Sequence, residues 1–300
     1  MIISSHVLTL LVFQAFRWGK DSTRPAEDLV KSLIEKAEAD TEGSESTSNF
    51  KILPDTPIYN ALLNCWAKSG NRHKAQIRAE EILDEMTKFA KPNARTYAAV
   101  INILSNISRK RGVAKRAYEL LELMEQLYKN GDVKSRPNVY VYTSVINCYA
   151  RSLEADKAVM AVSILQRMEE EYRAGNPSAR PNIIAYNSVL NACAFTSGKA
   201  ESIETAFKIA CLVFDEVRSG HAKPSHVTYG TFLAVCANLM PESEIRDSLV
   251  DATFKRCARD GLVSDMVWRN LKAAASPELR GSILNQSNDN ILEATWSRNL

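Results

Sequence analysis

From Tyr142 the chain places apolar residues at Val145, Ile146 and Tyr149, and from Tyr229 at Phe232, Leu233 and Cys236. Steps of three, four and seven put such side chains on one face of an α-helix. A second kind of segment follows: a small residue, two aliphatics, then another apolar residue. It reads AEEILDEM at 79–86, AYELLELM at 117–124, AVSILQRM at 161–168 and ACLVFDEV at 210–217, with a degraded copy, VDATFKRC, at 250–257. The spacing predicts helices in alternation, a first and a second kind, and no strand-rich segment.

The alternation keeps a register. A tyrosine (Tyr59, Tyr97, Tyr142, Tyr186, Tyr229) stands five residues after each of Pro54, Pro92, Pro137, Pro181 and Pro224, and these prolines are 38 to 45 residues apart. A weaker copy puts Val263 at the proline position and Trp268 at the tyrosine position. Proline ends the preceding structure and holds its predecessor out of the α region. A polar residue follows each one: Asp55, Asn93, Asn138, Asn182, Ser225. Each unit is thus predicted as a helix–turn–helix pair that cannot bury its apolar face alone, so neighbours must stack.

This register divides the chain. Residues 54–274 form the array, five repeats plus a half-repeat, and 275–300 a C-terminal capping helix and tail, with Pro277 near the helix start. Segment 26–33 (AEDLVKSL) matches the second-helix pattern, so residues 1–40 read as a degenerate N-terminal repeat. Its apolar stretch 7–16 is too short to span a bilayer and lacks the positive flank of a signal peptide. Residues 41–53 are an acidic, Ser/Thr-rich linker. Insertions at 128–135 and 172–179 lengthen the links between repeats.

Composition adds limits. Lys and Arg number 38 against 35 Asp and Glu, a net charge of +3, so polyanion binding would need a local basic stripe. Six cysteines form no CxxC pair and four histidines have no HExxH spacing, so no metal or redox site is expected. The cysteines fall on apolar helical positions and are expected to be small core residues.

The segment YNALLNCWAKSGNRHKAQIRAEEILDEM followed by KPN resembles a pentatricopeptide repeat, and the other anchored copies fit the same consensus. Tetratricopeptide repeats share the two-helix unit but carry different anchors. Units of 38 to 45 residues are longer than usual for the family. The resemblance implies an all-α, right-handed α-solenoid of helix–turn–helix repeats. It also implies a sequence-selective single-stranded RNA-binding protein, acting in processing, stability or translation of RNA in a mitochondrion or plastid, with other RNA-processing proteins as further partners. No cofactor, small-molecule substrate or membrane insertion is implied.

By the same resemblance, a base is read by the residue after the tyrosine together with the residue after the next proline. The pairs are Asn60 with Asn93, Ala98 with Asn138, Thr143 with Asn182, Asn187 with Ser225, and Gly230 with Ser264. Asn–Asn and Asn–Ser resemble pyrimidine readers and Thr–Asn an adenine reader, whereas Ala98 and Gly230 have no polar side chain. Base-wedging positions are Arg95, Tyr140, Ile184 and Val227, with Pro57 at the first; Lys68 and Arg151 match the phosphate contact.

Each residue has a plain structural alternative. Asn60 and Asn187 suit a solvated first turn, Lys68 and Arg151 suit helix ends by their charge alone, and the anchor tyrosines suit the core. The basic run 109–116 (RKRGVAKR) reads as a solvated turn at the array's edge. A zinc deaminase would need H-x-E with a downstream C-x-x-C, and neither occurs; GxSxG and Gly-rich phosphate loops are missing too. The expectation is a binder without catalysis. The alternative in another class is a protein-interaction scaffold with no direct RNA contact.

Overall fold

The computed structural model describes residues 27–28, 30–32, 35, 55–107, 109–286 and 296–300. The proposed first helix at 7–16, Pro54 and the linker 41–53 lie outside them. Among the described residues the regular structure is all helical: α1 (Thr56–Lys68), α2 (Arg72–Phe89), α3 (Ala94–Ser105), α4 (Val113–Lys129), α5 (Val139–Arg151) and α6 (Lys157–Arg173). Then come α7 (Ile183–Ala194), α8 (Ala200–Glu216), α9 (His226–Leu239), α10 (Glu244–Arg259), α11 (Asp265–Ala274) and α12 (Pro277–Gln286). Odd-numbered helices through α11 are the first helices of successive repeats, and the intervening even-numbered ones, α2 to α10, are the second helices. No described helix is long and apolar enough to cross a membrane.

The chain divides into two compact units, residues 1–144 and 145–300, with the division inside α5. In the first unit α1 packs on α2 and α3, and α3 on α2 and α4. Glu27, in a helical stretch before the repeats, accepts from the Trp66 indole at 3.1 Å and the Arg78 guanidinium at 2.7 Å. In the second unit α7 packs on α9, α9 on α11, and α6 on both helices of the repeat after it. Within each unit the helical hairpins stack in chain order, as in an α-solenoid.

The predicted starts are real helix caps. Asp55, Asn93, Asn182, Ser225 and Ser264 are N-caps whose side chains accept backbone N–H groups of the first turn. Such a cap is worth about 1 kcal/mol against alanine. All five anchor tyrosines are buried. Both long insertions are compact: the second helix ends at Gly131 or Gly175, each at φ 95°, and a 3-10 turn follows at Val133–Ser135 or Pro177–Ala179. Only glycine adopts that backbone without strain. The buried Ser135 and Ala179 then tuck each turn against its helices.

Candidate nucleic-acid interface

The candidate readers cluster where first helices begin. Asn93 Oδ1 accepts the N–H groups of Arg95 (3.0 Å) and Thr96 (3.1 Å), and Asn138 Oδ1 those of Tyr140 (3.1 Å) and Val141 (3.2 Å). Asn182 caps Ala185 at 3.0 Å. The cap uses the amide oxygen, so the NH2 group is turned away from the helix, as a donor. Capping was legible as "polar residue after proline", and the same side chains are the candidate readers.

Two of the five sequence-derived pairs meet through side chains. Asn60 Nδ2 donates to Asn93 Oδ1 at 3.4 Å, and Asn187 Nδ2 to Ser225 Oγ at 3.3 Å. Asn187 Oδ1 is buried with no hydrogen-bond partner. Thr143 is 9% exposed with its hydroxyl unpartnered, and its sequence partner Asn182 belongs to the other unit. Ala98 offers Asn138 nothing polar. At Gly230 the space a Cβ would take adjoins Met266 Cγ at 3.2 Å, and the Gly230 carbonyl accepts from Asn270 at 2.8 Å. Met266 stands at the wedge register of the last half-repeat, so the fifth reading position is filled from within the protein.

The wedge positions project. Tyr140 is 75% and Ile184 58% exposed, Arg95 is exposed, and Val227 is half-buried. Pro57 sits in the first turn of α1, where its missing N–H costs nothing. In the first unit the helix starts border an open cleft of about 640 Å³ lined by Asp55, Lys91, Asn93, Arg95, Lys134 and Asn138. Thr56 donates to the Lys91 carbonyl at 3.0 Å, and the Lys91 ammonium pairs with Asp132 at 3.2 Å.

Lys91 and Lys134 were not singled out from sequence. The signal was present, since Lys91, Arg136, Arg180 and Lys223 each immediately precede an anchor proline. Arg136 lies over the Tyr128 ring, 5.1 Å from its centroid, and the other three are exposed.

Lys68 and Arg151 are exposed in the last turns of α1 and α5. Each follows its repeat's reader by eight residues, about 12 Å along the helix axis. Lys68 borders a smaller polar cleft of about 200 Å³ with Ser69, Arg72 and Asn106. In the basic run, Arg109, Lys110 and Arg111 are exposed, while Arg116 grips Glu80 through two nitrogens at 2.9 and 2.8 Å, joining consecutive second helices.

The tyrosines face inward. Tyr142 donates to Glu125 at 3.1 Å, Tyr186 to Glu169 at 3.0 Å, and Tyr229 to Asp260. Burial, then the neighbouring carboxylate, pushes the phenols of Tyr186 and Tyr229 above their usual range. Of the six cysteines all but Cys211 are buried, and burial pushes the thiols of Cys193 and Cys236 up to about 12, so they are protonated core groups. Among the described residues no group of three or more His, Cys, Asp and Glu side chains is arranged to hold a metal ion.

A family model described as "Pentatricopeptide repeat domain" matches residues 47–106 and 128–196. A pentatricopeptide repeat-containing protein of Arabidopsis thaliana, whose name includes the word chloroplastic, is 33% identical over 103 residues, 34% of this chain and 10% of that protein. The chain thus spans about a tenth of that relative. The crystal structure of pentatricopeptide repeat protein PPR10 from maize is similar with a TM-score of 0.39 at 17% identity, over 99% of this chain and 45% of that one. PPR10 in complex with an 18-nucleotide psaJ RNA element gives 0.37 at 18% identity, over 89% and 38%. The stacked hairpins and the capped proline–tyrosine register accord with this likeness to pentatricopeptide repeats, which the family model carries over residues 47–106 and 128–196.

Proposed function

We propose that this chain binds single-stranded RNA selectively, addressing one base per repeat through side chains at the starts of its first helices. The observation that carries the reading is the Asn60–Asn93 contact: two residues 33 apart, which the family resemblance pairs, lie within hydrogen-bond reach. A short amide there suits the Watson–Crick edge of an unstacked base. Asn187 with Ser225 supports a second pyrimidine-type site, and Thr143 is proposed as an adenine-type reader.

Lys68 and Arg151 would neutralise phosphates along the track, aided by Lys134. The role is binding without catalysis, in RNA processing, stability or translation within a mitochondrion or plastid, alongside other RNA-processing proteins. The proposed organisation keeps the array at 54–274 with flanking segments at 1–40, 41–53 and 275–300.

Fluorescence titration with short RNAs at two salt concentrations tests this. Binding should weaken with salt by a logarithmic slope of roughly −0.7 per phosphate contacted. Thr143→Asn should shift the preferred base at one position from adenine toward a pyrimidine. Absence of binding at low salt would reject the proposal in favour of a protein scaffold.

A further inference from the structure

The two asparagine readers share a neighbour that no reading pair includes. Three residues after the cap that completes the Asn60 pair stands Thr96, and at the same place after the Asn187 pair stands Thr228. Where the preceding reader is Ala98, Thr143 or Gly230, the equivalent residue is Val141, Ala185 or Val267. Threonine therefore tracks asparagine through the array. Helix capping alone does not explain it, because Asn138, Asn182 and Ser264 cap their helices without a hydroxyl at that place.

Backbone N–H groups settle the polarity of the Asn60 site. Arg95 and Thr96 N–H groups donate to Asn93 Oδ1, which is thereby fixed as the oxygen. The Asn93 N–H donates to Thr96 Oγ1 at 3.1 Å, so the single hydroxyl proton of Thr96 turns to Asn60 Oδ1, 2.7 Å away. With its oxygen held there, Asn60 must present Nδ2 to Asn93 Oδ1. One N–H of that group is spent and the other is left to face a ligand as a donor. Thr96 is fully buried, and the other acceptor within reach of its hydroxyl, Asn93 Oδ1, lies farther off at 3.3 Å.

We propose that Thr96 is a positioning residue for base reading: it holds the Asn60 amide so that the repeat displays a donor, making the reading unit a triad of reader, cap and threonine. Thr228 occupies the same place at the Asn187 site but does not hold that amide, since Asn187 Oδ1 has no hydrogen-bond partner. There the Ser225 N–H likewise donates to Thr228 Oγ1, at 3.0 Å, and Asn187 Nδ2 again faces the cap. This rests on the RNA-reading function proposed above and adds a determinant of base choice that the reader and cap do not contain.

The experiment compares wild type, Thr96→Val and Thr96→Ser against four RNAs differing only at the nucleotide opposite the Asn60 repeat. In parallel, the Asn60 side-chain NH2 resonances are followed by ¹⁵N NMR without RNA. The expected result for Thr96→Val is a moved Asn60 signal and a roughly three- to tenfold loss of preference at that nucleotide, the size of one hydrogen bond. Preference opposite the Asn187 repeat stays unchanged, and Thr96→Ser keeps both signal and preference. Thr228→Val should leave the preference opposite the Asn187 repeat unchanged, because no bond from Thr228 holds the Asn187 oxygen. An unmoved Asn60 signal, or equal weakening for all four bases, overturns the positioning role. Wild-type protein that binds no RNA defeats the RNA reading itself, and the Asn60 signal then still decides whether Thr96 orients the amide.

Discussion

The Tyr142 hydroxyl donates to the Glu125 carboxylate at 3.1 Å, with both side chains buried. The anchor is thus more than an aromatic knob, because its phenol ties one repeat's first helix to the preceding second helix. Tyr142→Phe keeps the ring and removes the donor, so Glu125 loses a partner it cannot replace with water. Urea unfolding should show a loss of about 1–3 kcal/mol. Tyr140→Phe, at an exposed ring two residues earlier, should change nothing measurable.

Alkaline pH should unfold this protein earlier than its charge balance suggests. Burial raises the thiol of Cys65 to about 11 and those of Cys193, Cys236 and Cys257 to about 12. Above the ordinary thiol value of about 8.5 the unfolded chain loses these protons while the folded chain keeps them. The contribution is therefore fully present below that pH and is lost as pH rises toward the folded values, by up to about 1.4 kcal/mol per thiol per pH unit. Melting temperature measured from about pH 8 to about pH 10 should fall steeply. Cys257→Ala should flatten the fall.

Much of this architecture was legible because its signals repeat at fixed offsets: proline, polar cap, tyrosine, apolar face. What escaped lacks a constant offset. The acid that receives the anchor phenol lies 17 residues before Tyr142 and Tyr186 but 31 after Tyr229. The Thr96–Asn60 bond was hidden for another reason. Threonine before tyrosine looks like helix filler until stacking brings the preceding repeat beside it. Asn60–Asn93 and Asn187–Ser225 could be paired in advance because the family resemblance implies that pairing, whereas Met266 beside Gly230 depends on which way one flexible side chain turns.

That last contact makes its own prediction. Gly230→Asn would complete a polar pair with Ser264, yet its amide, carried on a Cβ already 3.2 Å from Met266 Cγ, would have to displace that side chain further. Crowding of this kind costs about 1–3 kcal/mol, and Met266→Ala in the same chain should recover most of it. Gly230→Ala should be close to neutral. Its gain of about 1 kcal/mol in helix propensity offsets the mild displacement of a flexible methionine. Urea midpoints of the three variants check the order.

Tyr140 separates stability from recognition most cleanly. Its ring is 75% exposed at the first turn of α5, two residues from the buried Tyr142, so it contributes little to the fold. An exposed residue of this kind changes stability by less than about 0.5 kcal/mol when cut to alanine. A base stacked on such a ring contributes about 1–3 kcal/mol to binding, so Tyr140→Ala should weaken RNA roughly 5- to 150-fold with its melting temperature unchanged. Tyr140→Phe should keep the affinity, because stacking uses the π face and leaves the hydroxyl idle. Ile184→Ala, at the same register but less exposed, should lose less. A Tyr140→Ala protein that binds as wild type does would remove the wedge from this helix start and leave Asn138 to act by its amide alone.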